Sequence, residues 1–108
     1  MSDEQNEVKV FETRRFEKAL SKLPEPQLKA VENEIDTIIE DPEIGELKKG
    51  DLSHLRVHKF KMDSQQVLLG YSWFEEKLEL YLLHIGPHEN FYQKQKAQRK
   101  ADLKFIQS

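Results

Sequence analysis

Cysteine is absent from this 108-residue chain, glycine and proline occur only four times each, and no apolar stretch reaches membrane-spanning length. The lack of cysteine excludes a disulfide framework, a thiolate metal site and a cysteine nucleophile. The N-terminal segment MSDEQNE is acidic where a signal peptide would be basic, so we expect a cytoplasmic protein without membrane contact. A chain of this length supports one domain, residues 1–108, in which residues 1–6 are expected to form a flexible tail.

The familiar catalytic signatures are also missing. There is no phosphate-binding glycine loop, no G-x-S-x-G, no H-E-x-x-H and no EF-hand loop. The net charge is -3, but residues 1–46 carry 13 acids and 6 bases, whereas residues 47–108 carry 11 bases and 7 acids. A basic half either attracts nucleic acid locally or only solvates the surface, and the charge split does not decide between the two.

The N-terminal half has the pattern of a strand followed by two helices. The run VKVF at residues 8–11 predicts a first strand, and Thr13 is placed to cap the helix that follows. A second helix starts near Pro26 and ends at Asp41-Pro42. Its apolar residues recur every three or four positions, namely Leu28, Val31, Ile35 and Ile38. The two helices are therefore expected to form a hairpin.

The C-terminal half changes to an alternation of period two. From Leu55 onwards, Leu55, Val57 and Lys59 are expected to point one way, and Arg56, His58 and Phe60 the other. Two further strands follow, QVLLGYSWF and LELYLLHIG. The second is apolar on both faces, as is typical of a central strand, with Leu78, Leu80 and Leu82 expected on one face and Tyr81, Leu83 and Ile85 on the other. The first strand is the natural partner for its free edge. A basic terminal helix then follows, with Phe91, Leu103 and Ile106 as apolar anchors.

These elements predict an α+β fold of order β-α-α-β-β-β-α, with a small antiparallel sheet and the N-terminal helical hairpin packed on one face. The helices are expected on that face only. The other face would then stay partly open, and the functional site is expected there.

Histidine is the residue type in this chain best suited to proton transfer, because an ordinary imidazole titrates near pH 6.5. His88 follows the Gly86-Pro87 break and lies one helical turn before Tyr92, while His58 has Lys59 and Lys61 close by in sequence. His54 is expected to be a solvated loop residue, and His84 a hydrogen-bonded or edge residue. Lys94, with Lys96, Arg99 and Lys100, forms either a solvated helix face or a surface that attracts phosphate.

Imidazoles, cations and aromatic rings near one sheet face are the groups that RNA cleavage without a metal requires. One group removes the proton of the 2′-hydroxyl, another protonates the leaving 5′ oxygen, and cations stabilise the charge that develops on the phosphate. Aromatic rings can stack on the bases of single-stranded RNA, whereas Phe60, Tyr71 and Trp73 are expected to serve the core. From residue spacing alone, RNA cleavage without a metal is a hypothesis about this site.

The segments LRVHKFK, QQVLLGYSWF and LELYLLHIGPHENFY are similar to the meander and closing segment of the RelE/ParE superfamily of small bacterial toxins. The resemblance extends from Phe11 to about Lys96, and its most specific part is Gly86, His88 and Tyr92. It implies a toxin of a type II toxin–antitoxin module, neutralised by a cognate antitoxin. In the RelE-like branches it implies cleavage of mRNA, often on the ribosome, with no metal and no cofactor.

Carried onto this chain, the resemblance assigns His58, His88 and Tyr92 to catalysis and assigns Arg56, Lys59, Lys61 and Lys94 to phosphate or RNA binding. His88 is then the general acid and His58 the general base, although the two roles can be exchanged. The growth inhibition expected of such a toxin follows from the loss of mRNA.

One departure keeps alternatives open. RelE-like enzymes usually carry an arginine near the start of the third strand, where this chain has Gln65-Gln66-Val67-Leu68, so Lys61 across the turn is the nearest substitute. ParE-like relatives lack the nuclease residues and poison DNA gyrase, which is the alternative function. A degenerate relative that only binds antitoxin is a third. In every case an open strand edge and the groove beside the hairpin are suited to antitoxin docking.

Overall fold

The computed structural model describes residues 7–107, so the predicted tail at residues 1–6 lies outside the described residues. The chain enters through β1 (Lys9–Glu12) and continues into α1 (Arg14–Ser21) and α2 (Glu25–Glu40). Thr13 caps α1 as predicted, because its hydroxyl accepts a hydrogen bond from the amide of Phe16 at 3.0 Å. The predicted helical hairpin is therefore confirmed.

Four more strands complete a five-stranded sheet in the order β1-β5-β4-β3-β2. They are β2 (Glu46–Leu47), β3 (Arg56–Met62), β4 (Gln65–Phe74) and β5 (Glu79–Pro87). β1 lies at the free edge of β5, as predicted, and pairs with it in parallel, while the other neighbours are antiparallel. The sheet is therefore mixed, whereas the sequence predicted an antiparallel one. The short strand β2 was not predicted, since residues 41–53 read as a loop.

A bulge in the pairing of β4 with β5 changes which residues share a face. Tyr71 pairs with Leu82 and Gly70 pairs with His84, so Leu83 is an extra residue on β5. Before the bulge, Leu80 and Leu82 point toward the helical hairpin; after it, Ile85 does. The prediction that Tyr81, Leu83 and Ile85 share one face was therefore wrong for Ile85. By the same shift, Gly86 and His88 fall on the face opposite the hairpin.

The hairpin face of the sheet is one half of the hydrophobic core. Its buried residues come from the hairpin and from β4 and β5, and they are Phe16, Val31, Ile38, Val67, Leu69, Tyr71, Leu80, Leu82 and Ile85. Phe60 and Trp73 pack at the margin of this cluster, and Tyr71 is fully buried within it. The prediction that these three aromatic residues serve the core is confirmed.

The second face of the sheet is covered as well, which corrects the prediction that helices lie on one face only. Two C-terminal helices, α3 (Phe91–Ala97) and α4 (Arg99–Gln107), pack there where a single helix was expected. They bury a second cluster, formed by Leu52, Leu55, Val57, Leu68, Tyr81, Leu83, Phe91 and Ile106. The physical reason is that the central strands are apolar on both faces, so leaving one face open would expose this surface to water.

A buried ion pair fixes α4 to the rest of the molecule. The guanidinium of Arg15 on α1 donates to both carboxylate oxygens of Asp102, at 3.1 and 3.3 Å. Asp102 is 1% exposed and also accepts a hydrogen bond from the fully buried Gln95 at 2.6 Å.

Within residues 7–107, no helix is both long enough and apolar enough to span a membrane.

Candidate functional site

Strand register brings four polar side chains together on the second face, at the end of the meander. Lys61 on β3 pairs with Gln66 on β4, and Val67 pairs with Pro87 on β5, so His88 follows directly beside Gln66. Lys59, two residues before Lys61, points to the same face. Neighbouring strands are about 4.8 Å apart, so roughly 10 Å separates the backbones of β3 and β5 here. Lysine side chains and an imidazole can bridge that distance to a single phosphodiester.

Tyr92 closes this group of residues from α3. The rings of His88 and Tyr92 are perpendicular, with centroids 6.5 Å apart. The turn between them is held by the amide of Phe91, which donates to the carbonyl of His88 at 3.3 Å, and by Asn90 in the left-handed region at φ 62°. His88 is exposed and Tyr92 is half-buried, so both side chains remain accessible to a ligand.

Lys48 also belongs to this site and was not predicted. Its Nζ lies 5.2 Å from the centre of the Tyr92 ring and 3.0 Å from Oε1 of Glu46. The residue follows β2, whose pairing with β3 carries it over the second face. Since residues 41–53 read as a loop from the sequence, only the alternation of Glu46, Leu47 and Lys48 could have signalled its position.

The electrostatics of the site are dominated by cations. The hydrogen bond and the charge of Lys48 lower the pKa of Glu46, and the charge of Lys59 lowers it further. Burial acts to lower the pKa of Lys48, but its hydrogen bonds with Glu46 and Tyr92 outweigh this effect and raise it. We call the group Lys48, Lys59, Lys61, His88 and Tyr92 the lysine–histidine site. It presents three ammonium groups, one imidazole and one phenol toward the same stretch of surface.

Two predicted site residues lie on the other side of the sheet. Because β3 alternates, His58 faces the hairpin, where its Nε2 lies 2.7 Å from Oε1 of Glu34 on α2 and its ring stacks on Phe60. Arg56 faces the same way and donates to the backbone carbonyls of Glu43 and Gly45 at 3.2 and 2.8 Å. The expectation that His58 and His88 converge over one face is therefore not met. Lys59 and Lys61 occupy the face that was expected for Arg56 and His58.

The other two histidines, His84 and His54, are partly buried. His84 accepts a hydrogen bond from Arg15 at 3.4 Å and packs on Phe91, which agrees with the prediction of a hydrogen-bonded histidine. Burial, followed by the charges of Arg15 and Lys94, lowers the pKa of His84 to about 4. His54 was expected to be solvated, but burial lowers its pKa, and its Nε2 is buried with no hydrogen-bond partner in the described part of the chain. Lys94 itself is exposed on α3.

Known proteins agree with this architecture. A family model described as "ParE-like toxin of type II bacterial toxin-antitoxin system" matches residues 10–96, and no curated protein sequence matches the chain. Solved structures share its fold at low sequence identity.

A mutant of the E. coli toxin RelE in the free state has a TM-score of 0.65 and 19% identity, covering 86% of this chain and 96% of that chain. The intact E. coli RelBE toxin–antitoxin complex gives 0.62 and 20%, covering 77% of this chain and 99% of that chain. The RelE–RelB complex of the archaeon Pyrococcus horikoshii gives 0.51 and 17%, covering 76% and 96%. These structures establish the likeness of fold, and the family match covers most of the chain. The chain therefore belongs to the ParE-like toxin family of type II bacterial toxin–antitoxin systems.

Proposed function

We propose that this toxin inhibits growth as an endoribonuclease that cleaves mRNA in the cytoplasm. The observation that carries the proposal is the convergence of Lys59, Lys61 and His88 on one face, with Tyr92 and Lys48 beside them. Cations that surround an imidazole next to an accessible aromatic ring suit the phosphate, the proton transfer and the base of a single-stranded RNA. The proposal covers free mRNA as well as mRNA presented by the ribosome.

The proposed reaction is attack of a 2′-hydroxyl on the adjacent phosphate. A bond forms between the 2′ oxygen and phosphorus while the bond to the 5′ oxygen breaks, leaving a 2′,3′-cyclic phosphate and a 5′-hydroxyl. His88 gives its proton to the leaving oxygen. The proton of the 2′-hydroxyl, which Tyr92 contacts, passes to a solvent water. Lys48, Lys59 and Lys61 supply the positive charge that stabilises the phosphate in the transition state. His58 has no role in this reaction, since Glu34 holds it on the opposite face.

The proposed protein partner is a cognate antitoxin. In the RelBE and RelE–RelB complexes, the toxins with this fold are bound to their antitoxins. For this chain, the outer edge of β1 and the apolar groove between α1 and the ends of β3 to β5 are suitable surfaces. The groove has a volume of about 190 Å³ and includes Leu23, Met62 and Pro87 in its lining.

The test is to induce the chain in cells without its antitoxin and to map the 5′ ends of the transcripts. We expect new 5′-hydroxyl ends within coding regions, their loss in the His88→Ala variant, and their persistence in His58→Gln. A well-placed acid or base typically contributes about 100- to 10,000-fold, so the loss in His88→Ala should be almost complete. With purified protein, cleavage should continue in EDTA. Intact transcripts during growth arrest, or undiminished cleavage by His88→Ala, would reject the proposal.

A gyrase-poisoning toxin is the second candidate, and the position of His58 favours it. Because His58 is paired with Glu34, the lysine–histidine site contains one imidazole, whereas a general acid and a general base that are both histidines need two. This candidate predicts DNA damage signalling and trapped gyrase–DNA complexes while transcripts stay intact. The same induced cultures distinguish the two functions, because a translation block with cut transcripts and a DNA damage response are separate readouts.

A further inference from the structure

The outward face of the C-terminal helices carries positive charge and no acid. The exposed residues of α3 and α4 are lysine, glutamine and alanine only: Gln93, Lys94, Lys96, Ala97, Lys100, Ala101, Lys104 and Gln107. The one acid in this stretch, Asp102, is 1% exposed and turned inward to Arg15. The outward face of α2 is mainly acidic, because it exposes Glu25, Glu32, Asp36 and Glu40 together with one base, Lys29. The exposed acids of α2 and the exposed lysines of α3 and α4 thus lie on opposite sides of the sheet.

Three of these lysines are four residues apart in sequence. Lys96 lies on α3, before the break at Gln98, and Lys100 and Lys104 lie on α4 after it. Within α4, a rise of 1.5 Å per residue separates Lys100 from Lys104 by about 6 Å. That separation is similar to the spacing of successive phosphates along an RNA strand. We call Lys96, Lys100 and Lys104 the lysine row.

An ordinary solvated helix face is arranged differently. Lysines four residues apart repel one another, and helices usually place an acid at that spacing, which stabilises them by about 0.2–0.5 kcal/mol per pair. Among residues 7–107 none of the three lysines takes part in an ion pair. The small side chains of Ala97 and Ala101 beside the row allow a partner to approach the helix closely. A polyanion bound along the row removes this repulsion.

We infer that the lysine row is a second binding surface for RNA, which holds the phosphate backbone outside the segment that is cleaved. The row lies on the helices that cover the second face of the sheet, and the lysine–histidine site lies on that face at the end of the meander. An RNA attracted by the basic side of the molecule is thus held on the side where the proposed reaction takes place. Contacts of this kind recognise backbone charge and not sequence. The inference rests on the proposed function for its choice of RNA over other polyanions.

The experiment measures binding of a fluorescent, fully 2′-O-methylated RNA oligonucleotide, which this chemistry cannot cleave, at a series of NaCl concentrations. The test variant changes Lys96, Lys100 and Lys104 to Gln. The matched control changes Lys22, Lys29 and Lys77 to Gln, which removes the same charge from exposed positions outside α3 and α4. Each phosphate contact adds about 0.7 to the slope of log affinity against log salt for single strands. We expect the slope of the test variant to fall by about 2 and its affinity at low salt to fall at least about tenfold, with little change in the control.

Several outcomes would overturn the inference. Equal losses of RNA affinity in the two triple variants would mean that the overall charge of the protein, and not the lysine row, attracts RNA. Unchanged RNA binding by the test variant would mean that the row is a solvated surface or a contact for an acidic protein. Because the RNA cannot be cut, this result is independent of cleavage. If His88→Ala loses cleavage while its RNA binding keeps the normal salt dependence, both proposals are supported. If RNA binding is normal but cellular transcripts stay intact, only the nuclease proposal is rejected. Circular dichroism of each variant shows whether it folds.

Discussion

The Nε2 atom of His58 lies 2.7 Å from Oε1 of Glu34, which joins β3 to α2 across the hairpin face of the sheet. The His58 and Glu34 side chains are 11% and 31% exposed, so the pair is partly shielded from water. This contact explains why the His58 side chain lies on the hairpin face, away from the lysine–histidine site.

The first prediction follows from this pair. A double-mutant cycle with His58→Ala and Glu34→Ala should give a coupling free energy of about 1 kcal/mol, because a hydrogen bond to a carboxylate in a partly buried place contributes about that much. Urea denaturation measures it. Glu32→Ala, an exposed neighbour on α2, is the control and should show no coupling to His58. A coupling near zero would mean that His58 is free for another role.

The second prediction concerns the buried carboxylate of Asp102. Arg15→Met removes its cationic partner and leaves it with the hydrogen bond from Gln95, so we expect a loss of about 2–4 kcal/mol in the free energy of unfolding. Arg14→Met, at the exposed neighbouring position, should cost less than about 0.5 kcal/mol. Similar urea midpoints for the two variants would show that the ion pair does not hold α4 in place.

The third prediction is a loss of stability in mild acid. Burial, with the charges of Arg15 and Lys94, lowers the pKa of His84 from 6.5 to about 4 in the folded state. The unfolded chain therefore binds a proton as the pH falls below about 6.5, while the folded chain does not until about pH 4. The contribution of His84 is fully present above pH 6.5 and is lost between these values. Allowing for solvent screening of this partly exposed ring, we expect it to be on the order of 1–2 kcal/mol.

Comparison of the wild type with His84→Gln checks this contribution. The wild type should lose more unfolding free energy than the variant between pH 7 and pH 4.5, as measured by urea denaturation at each pH. Burial lowers the pKa of His54 in the same direction, so His54→Gln should remove a further part of the pH dependence. Identical pH profiles for the wild type and His84→Gln would contradict the assignment.

The fourth prediction adds a cation where the RelE-like pattern has one. Gln66 pairs with Lys61 and shares its face, so Gln66→Arg places a guanidinium beside His88. We expect cleavage of a model RNA to become several-fold faster, because the added charge stabilises the transition state. Gln65→Arg is a matched control, since the adjacent residue pairs with Met62 and lines the apolar groove on the hairpin side. Equal effects of the two arginines would indicate a general increase in RNA attraction.

The sequence predicts the elements of this fold better than their arrangement. The spacing of Val31 and Ile38 locates α2, and the alternation along β3 assigns Val57 and His58 to opposite faces, because both patterns are local. The sequence resemblance also locates His88 and Tyr92, which do lie together. Which face a whole strand presents depends on its neighbours, so the position of His58 relative to His88 could not be predicted from spacing.

The bulge at Leu83 shows why. A regular β5 would place Leu82, His84 and Gly86 on one face, yet the extra residue transfers His84 and Gly86, and with them His88, to the other. Leu83 is a leucine like Leu82 before it, so nothing at that position of LELYLLHIG signals the extra residue. Coverage of the second face by α3 and α4 escaped prediction for a related reason. Phe91 and Ile106 were identified as anchors, but the surface that receives them is assembled from three strands.

The parallel pairing of β1 with β5 has a consequence for the order in which the protein is made. Lys9 pairs with Glu79, so the sheet cannot close until more than two thirds of the chain has left the ribosome. His88 and Tyr92 come later still, and α4 follows them. A nascent chain therefore carries the lysines of β3 long before the imidazole that completes the group. The lysine–histidine site therefore forms late in synthesis, and a chain that stops before residue 88 lacks the imidazole on which the proposed cleavage depends.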